Sequence, residues 1–108
     1  MNDYETIKQV FHRDEYVCQY CGQSALEYGK QIQRAHILSQ GKRARKKFGK
    51  IIDSPLNMKC VCSLKCNNKM AVNHATQPIL ADKIAEAIKD NDLIEVNRLL
   101  IESERMKG

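Results

Sequence analysis

Two pairs of cysteines flank one histidine in the first two thirds of the chain. Cys18 and Cys21 form the upstream pair, Cys62 and Cys66 form the downstream pair, and His36 lies between them. Thiolates from two tight turns are the ligands that a tetrahedral zinc ion prefers, and four of them leave no open position for water. The spacing therefore predicts a structural Zn²⁺ site that holds the domain together and does no chemistry itself.

A fifth cysteine, Cys60, leaves the choice of the second pair open. Cys60 and Cys62 are two residues apart in a segment predicted to be extended, where strand geometry holds their sulfurs apart. Cys62 and Cys66 would be one helical turn apart, so we expect them to be the ligands, with Cys60 as the alternative to Cys62. The first residues contain neither a basic n-region nor an apolar run, so we expect no secretory leader and a cytoplasmic (intracellular) location, where paired cysteines more often hold metals than form disulfides.

Charge is distributed unevenly along the chain. Residues 1–75 contain 13 basic and 6 acidic side chains, net +7, whereas residues 76–108 have a net charge of −2. No apolar run reaches the ~20 residues that a membrane span needs. A basic segment that predicts a polyanionic, nucleic-acid partner follows His36 closely, with cations at Lys42, Arg43, Arg45, Lys46, Lys47 and Lys50.

The hydrophobic pattern predicts the elements that would position these groups. Apolar residues at helical spacing predict a helix over residues 3–14, and partial alternation predicts a strand over residues 30–37 that carries His36. Residues 39–54 predict a loop, with a helical turn over 42–47 and a brief strand at 51–52. Ser63 is a predicted N-cap for a helix reaching about residue 72. Two further helices are predicted over residues 79–90 and 92–106.

Four segments form a pattern that covers roughly residues 10–72: Val10 to Gly22, Ala35-His36-Ile37, Asp53-Ser54-Pro55-Leu56-Asn57, and Cys66-Asn67-Asn68-Lys69. In this order they resemble the HNH endonuclease family. The resemblance implies an α+β fold, a small zinc-stapled ββα-metal domain, here with an N-terminal helix and two C-terminal helices. We expect residues 1–75 to form this domain and residues 76–108 to form a C-terminal helical extension.

The resemblance also implies a role for each matching polar residue. His36 matches the general base that activates water for attack on a phosphodiester. Asn57 matches the central asparagine whose amide braces the loop and orients the histidine. Asn67, with Asn68 as its nearest alternative, matches the ligand of a catalytic Mg²⁺, Mn²⁺ or other divalent ion, which would stabilise the charge of the transition state.

Two positions depart from the family pattern. Many members carry Asp or Glu immediately before the first histidine, where this chain has Ala35. Because Mg²⁺ prefers oxygen ligands, the resemblance leaves one ligand unassigned, and Asp53 and His74 are the alternatives. The spacing between Cys62 and Cys66 is one residue longer than usual, which would rotate the following helix relative to the ion.

Three functions are consistent with these features. The first is a metal-dependent endonuclease acting on double-stranded or branched DNA, and the second is a nucleic-acid-binding module of the same fold that has lost catalysis. The third is a structural subunit that docks a partner or a second copy through its C-terminal helices, so both a monomer and a homodimer remain open. In the third case the contact face would be the apolar stripe formed by Leu93, Val96, Leu99 and Leu100. The alternative is that this stripe packs on the zinc domain of the same chain.

Overall fold

The computed structural model describes residues 3–24 and 32–107. This part of the chain forms five α-helices and a two-stranded sheet, which confirms the α+β class, the N-terminal helix and the two C-terminal helices. The ββα-metal assignment stays a prediction. In chain order the elements are α1 (Asp3–Arg13), β1 (Gln33–His36), α2 (Lys42–Phe48), 3₁₀ turns at Gly49–Asp53 and Pro55–Asn57, β2 (Met58–Val61), α3 (Leu64–Met70), α4 (Pro78–Lys89) and α5 (Leu93–Glu102).

The sheet places His36 at the end of the first strand. Strands β1 and β2 are antiparallel, with Gln33 opposite Val61 and His36 opposite Met58. The segment that joins them contains α2 and both 3₁₀ turns, and α3 follows β2 directly and packs on β1. His36 therefore lies where the sheet ends and the basic segment begins.

Helix α1 is tied to the sheet by one buried ion pair. The Arg13 guanidinium bonds both carboxylate oxygens of Asp14, and it also donates to the backbone oxygens of Pro55 at 2.7 Å and Met58 at 2.5 Å. Asp14 in turn accepts the Cys60 N–H at 2.8 Å. These bonds fix the end of α1 against the start of β2. The first cysteine turn follows the end of α1 in the chain, so they also help to position that turn.

The loop between the strands is more helical than predicted. The predicted turn over residues 42–47 is a full helix, α2, and Ile51 and Ile52 lie in a 3₁₀ turn, so the predicted strand there is wrong. Residues 25–31, which include the first part of the predicted strand, lie outside the described residues. The Ser63 cap is confirmed, because its Oγ accepts the Cys66 N–H at 3.1 Å.

The C-terminal helices share one hydrophobic core with the sheet. Ile84 of α4 and Val96 and Leu100 of α5 are fully buried in the same cluster as Ala35 and Ile37. Most of the apolar stripe of α5 is thus buried in the core of the same molecule. The boundary predicted near residue 75 stays a prediction.

The chain end returns to the first cysteine turn. The Lys107 N–H donates to the Gln19 oxygen at 3.2 Å, and Arg105 Nε donates to the Ala71 oxygen at 3.1 Å. Met106 packs against the core beside these contacts. Residues far apart in sequence therefore close around the cysteines.

Candidate functional site

The structure brings together the four cysteines that were predicted to bind the metal. The sulfurs of Cys18, Cys21, Cys62 and Cys66 all lie within 4.8 Å of one another. The distance from Cys62 Sγ is 3.6 Å to Cys21 Sγ and 3.9 Å to Cys66 Sγ. Zinc–sulfur bonds of about 2.3 Å in a tetrahedron place sulfurs about 3.8 Å apart. The cluster can therefore hold a structural metal ion such as zinc, and Cys60 is outside it.

Local backbone geometry explains how the first pair is aimed. Glu15 and Tyr16 both have left-handed φ values, 56° and 58°, which reverse the chain at the end of α1. The C-x-x-C turn closes with Gly22 N–H donating to the Cys18 oxygen at 2.8 Å. Gly22 has φ 81°, a conformation that glycine adopts without the steric cost of a side chain. Both sulfurs of this pair consequently point toward α3.

Cys18, Cys62 and Cys66 differ in how readily they ionise. Burial opposes ionisation of Cys18, but hydrogen bonds from the backbone N–H groups of Cys21 and Cys62 outweigh it and lower the Cys18 pKa to about 7. Burial raises the pKa of Cys62 to about 12 and also raises that of Cys66. A divalent cation supplies the charge that lets all four become thiolates together.

His36 is held by a side chain that the sequence did not indicate. Its Nδ1 lies 2.8 Å from Nε2 of Gln40, a residue that stands two positions before the start of α2. Because an amide NH₂ group only donates, this contact makes Nδ1 the acceptor and leaves the proton of the neutral ring on Nε2. A half-turn of the amide would present Oε1 instead and hold the proton on Nδ1, which makes Nε2 the basic nitrogen. Gln40 therefore orients the His36 ring, and the tautomer depends on which end of the amide faces Nδ1.

Asn57 is completely buried and braces the segment that follows His36. Its Oδ1 accepts the Leu38 N–H at 2.7 Å, and its Nδ2 donates to the oxygens of Leu38 and Ile52, both at 3.0 Å. The backbone oxygen of Asn57 also accepts the Ile37 N–H at 2.8 Å. One amide thereby connects the end of β1, the 3₁₀ turn and the start of β2.

The predicted ligand Asn67 lies near the other end of β1. Asn67 Nδ2 donates to Gln33 Oε1 at 3.3 Å, and Gln33 and His36 are about 10 Å apart along an extended strand. Ala35 is fully buried, and Asn68 is exposed. Among residues 3–24 and 32–107, the cysteines are the one group of three or more His, Cys, Asp or Glu side chains placed to share a metal.

Asp53 and His74, the alternatives for the missing ligand, have different surroundings. The Asp53 carboxyl has a lowered pKa, chiefly because Arg45 bonds it through both terminal nitrogens at 3.0 Å, with smaller contributions from the charges of His36 and Arg34. His74 instead packs edge-on against Phe48, with ring centroids 5.8 Å apart. Asp53 is thus the carboxylate that shares the electrostatic environment of His36.

The six cations of the basic segment divide into two sets. Arg45 is paired with Asp53, and Lys47 lies 3.3 Å from Asp82 of α4. In the described part of the chain no carboxylate pairs with the remaining four, Lys42, Arg43, Lys46 and Lys50, which are all exposed. Only the second set is available to neutralise an external anion.

Comparisons of the chain with protein-family models, with curated proteins and with solved structures found no match. None of the helices within residues 3–24 and 32–107 has the length and apolar character needed to cross a membrane. The functional argument therefore depends on the residues of this chain and their geometry.

Proposed function

We propose that this protein is an HNH-type, metal-dependent endonuclease that hydrolyses DNA phosphodiester bonds. The observation that carries the proposal is the Asn57 amide, which holds the segment after His36 through three hydrogen bonds from a fully buried position. A buried amide with all its bonds made is a rigid support, and a general base needs such support to stay within reach of its water.

The surroundings of His36 supply the remaining parts of this proposal. When Gln40 presents its amide oxygen to Nδ1, the ring proton is on Nδ1 and Nε2 is the nitrogen that takes a proton from water attacking the phosphorus. Unpaired cations in the following segment hold the flanking phosphates and make binding depend on salt concentration. A divalent ion, when bound, would stabilise the charge on the phosphate and leaving oxygen. Asn67 remains its predicted ligand, and Asp53 is preferred to His74 as the second.

A plasmid-nicking assay tests the proposal. Zinc-loaded protein should convert supercoiled plasmid to the open circle with Mg²⁺ or Mn²⁺, and His36→Ala should lower the rate by about 10²- to 10⁴-fold. His12→Ala is the matched control, because His12 is an exposed histidine on α1 whose ring contacts Tyr16, and this variant should cleave like the wild type. Equal nicking by wild type and His36→Ala would contradict the assignment.

A second candidate is a zinc-stapled nucleic-acid-binding module without catalysis. The observation that favours it is Ala35, which is fully buried where a carboxylate ligand would stand. Binding of DNA with no nicking under either ion would select this candidate over the nuclease. Docking through the α5 stripe is not proposed, because Val96, Leu99 and Leu100 are buried within the molecule.

A further inference from the structure

A cleft of about 570 Å³ opens between the start of α2 and the end of α3. Its walls include two cations from α2, Lys42 and Arg43, and three residues from the segment around α3, namely Asn68, Asn73 and His74. None of these three was expected to bind DNA. The volume is sufficient for one nucleotide, and the mixture of charge, amides and a flat ring suits such a ligand.

The charge of the cleft favours an anion. Its described lining contains no carboxylate, whereas each of four other large cavities in the described part includes at least one. Lys42 and Arg43 are exposed and belong to the set of cations that no carboxylate of residues 3–24 and 32–107 engages. Two such cations at one rim attract a phosphate.

The opposite wall offers groups that suit a base. Asn73 Oδ1 accepts the Ala75 N–H at 2.9 Å, which fixes the amide and leaves its Nδ2 as a donor. The backbone oxygen of Asn73 also accepts the Gln77 N–H at 2.8 Å, which holds the turn over residues 73–77 in place. The His74 ring is held at 88° to Phe48. Unpaired bases are recognised by stacking on flat rings and by hydrogen bonds to their edges.

The cleft adjoins the proposed reaction site. Ser39 and Gly41 also line it, and they flank Gln40, whose amide contacts His36. The Val72 N–H donates to the Ile37 oxygen at 2.8 Å, which ties the far wall to the residue after His36. A strand with one nucleotide in the cleft would thus have a neighbouring phosphodiester near the histidine.

We propose that this cleft binds one unpaired DNA nucleotide, with its phosphate on Lys42 and Arg43 and its base against His74 and the Asn73 amide. The inference rests on the proposed function and specifies its substrate, a single-stranded or locally opened DNA strand next to the scissile bond. A paired base is held in the duplex stack, so fully paired DNA does not enter the cleft.

Binding measurements without Mg²⁺ or Mn²⁺ test the cleft separately from cleavage. Fluorescence anisotropy of zinc-loaded protein should show at least about 10-fold tighter binding of a labelled single strand than of the duplex of the same sequence. His74→Ala should weaken single-strand binding about 10-fold, since one stacking contact is lost, and should leave duplex binding unchanged. Asn73→Asp keeps the acceptor for Ala75 and replaces the donor with a negative charge, and should weaken it similarly.

Lys50→Ala is the matched control, because Lys50 is an unpaired cation of the same segment outside the cleft lining. It should weaken single strand and duplex equally, whereas Arg43→Ala should weaken the single strand more. Wild-type zinc content and circular dichroism establish that each variant is folded. Equal or tighter binding of duplex by the wild type, or single-strand binding unaltered in both His74→Ala and Asn73→Asp, would overturn the proposal. Single-strand preference without any nicking would support the cleft and reject the nuclease.

Discussion

Lys59 offers a quantitative test of how the buried face of the sheet is held. This lysine of β2 is 1% exposed, its ammonium donates to Asn97 Oδ1 of α5, and the Arg13 guanidinium adds a like charge. Burial, then Arg13, lower the Lys59 pKa from 10.5 to about 8, and Asp14 only partly opposes them. The charged form is therefore less stable in the folded protein than in the unfolded chain, where the amine is solvated.

The pH dependence follows from the two pKa values. Below about pH 8 the amine is protonated in both states and the full cost is present; above the unfolded value of 10.5 it is neutral in both and the cost is gone. The fall in pKa corresponds to about 3 kcal/mol at pH 7 and about 1.4 kcal/mol at pH 9.5. The cost of Lys59 thus decreases by about 2 kcal/mol between these two pH values.

Lys59→Met removes the charge while keeping an unbranched chain of similar length. We expect the variant to be more stable than the wild type at pH 7 by about 2 kcal/mol, after allowance for the lost bond to Asn97, and to lose nearly all of that advantage by pH 9.5. Urea denaturation of zinc-loaded protein at both pH values measures the difference. Lys69→Met, at an exposed position on α3, is the control and should show no such change. An advantage that is equal at the two pH values would refute the reasoning.

Three other predictions concern Asn57, the cysteine cluster and Gln40. Asn57→Ala leaves a buried N–H and two carbonyl groups without partners, and should lower the free energy of unfolding by about 2–4 kcal/mol in urea; a loss below about 1 kcal/mol would show that the brace is unimportant. Chelation of the metal, or Cys66→Ser, should abolish the cooperative thermal transition followed by circular dichroism, and a persisting transition at wild-type temperature would contradict a structural metal. Gln40→Glu places a carboxylate on His36 Nδ1, so the pH–rate profile of plasmid nicking should shift to higher pH, while Gln40→Leu should lower the rate without that shift.

Local signals account for the parts of the structure that the sequence predicted. The helices have apolar residues at helical spacing, Ser63 stands directly before α3, and the C-x-x-C turn ends in Gly22, so each pattern is complete within a few residues. The choice of Cys62 over Cys60 also followed from local geometry, because a strand separates sulfurs at i and i+2 and one helical turn brings them together.

The parts that were missed depend on contacts between distant segments. Arg13 bonds the backbone oxygens of Pro55 and Met58, which are more than 40 positions away, and no periodic pattern indicates such contacts. The segment before β2 was predicted as a loop with one helical turn and a short strand, because its charge run obscured the full extent of α2. The Arg45–Asp53 ion pair connects α2 to the 3₁₀ turn at Gly49–Asp53, and the sequence pattern did not predict it.

The return of the chain end to the first cysteine turn affects how the protein folds during synthesis. Gln19 leaves the ribosome early, yet its backbone oxygen receives the Lys107 N–H only after residue 107 has emerged. The set of four cysteines is likewise incomplete until Cys66 has been made, and closing such long loops costs entropy that slows folding. A metal ion bound to the four sulfurs would close the loop from Cys18 to Cys66 without α4 and α5. We therefore expect protease resistance of stalled nascent chains to depend on zinc once residue 66 has emerged, and on length again at residue 107.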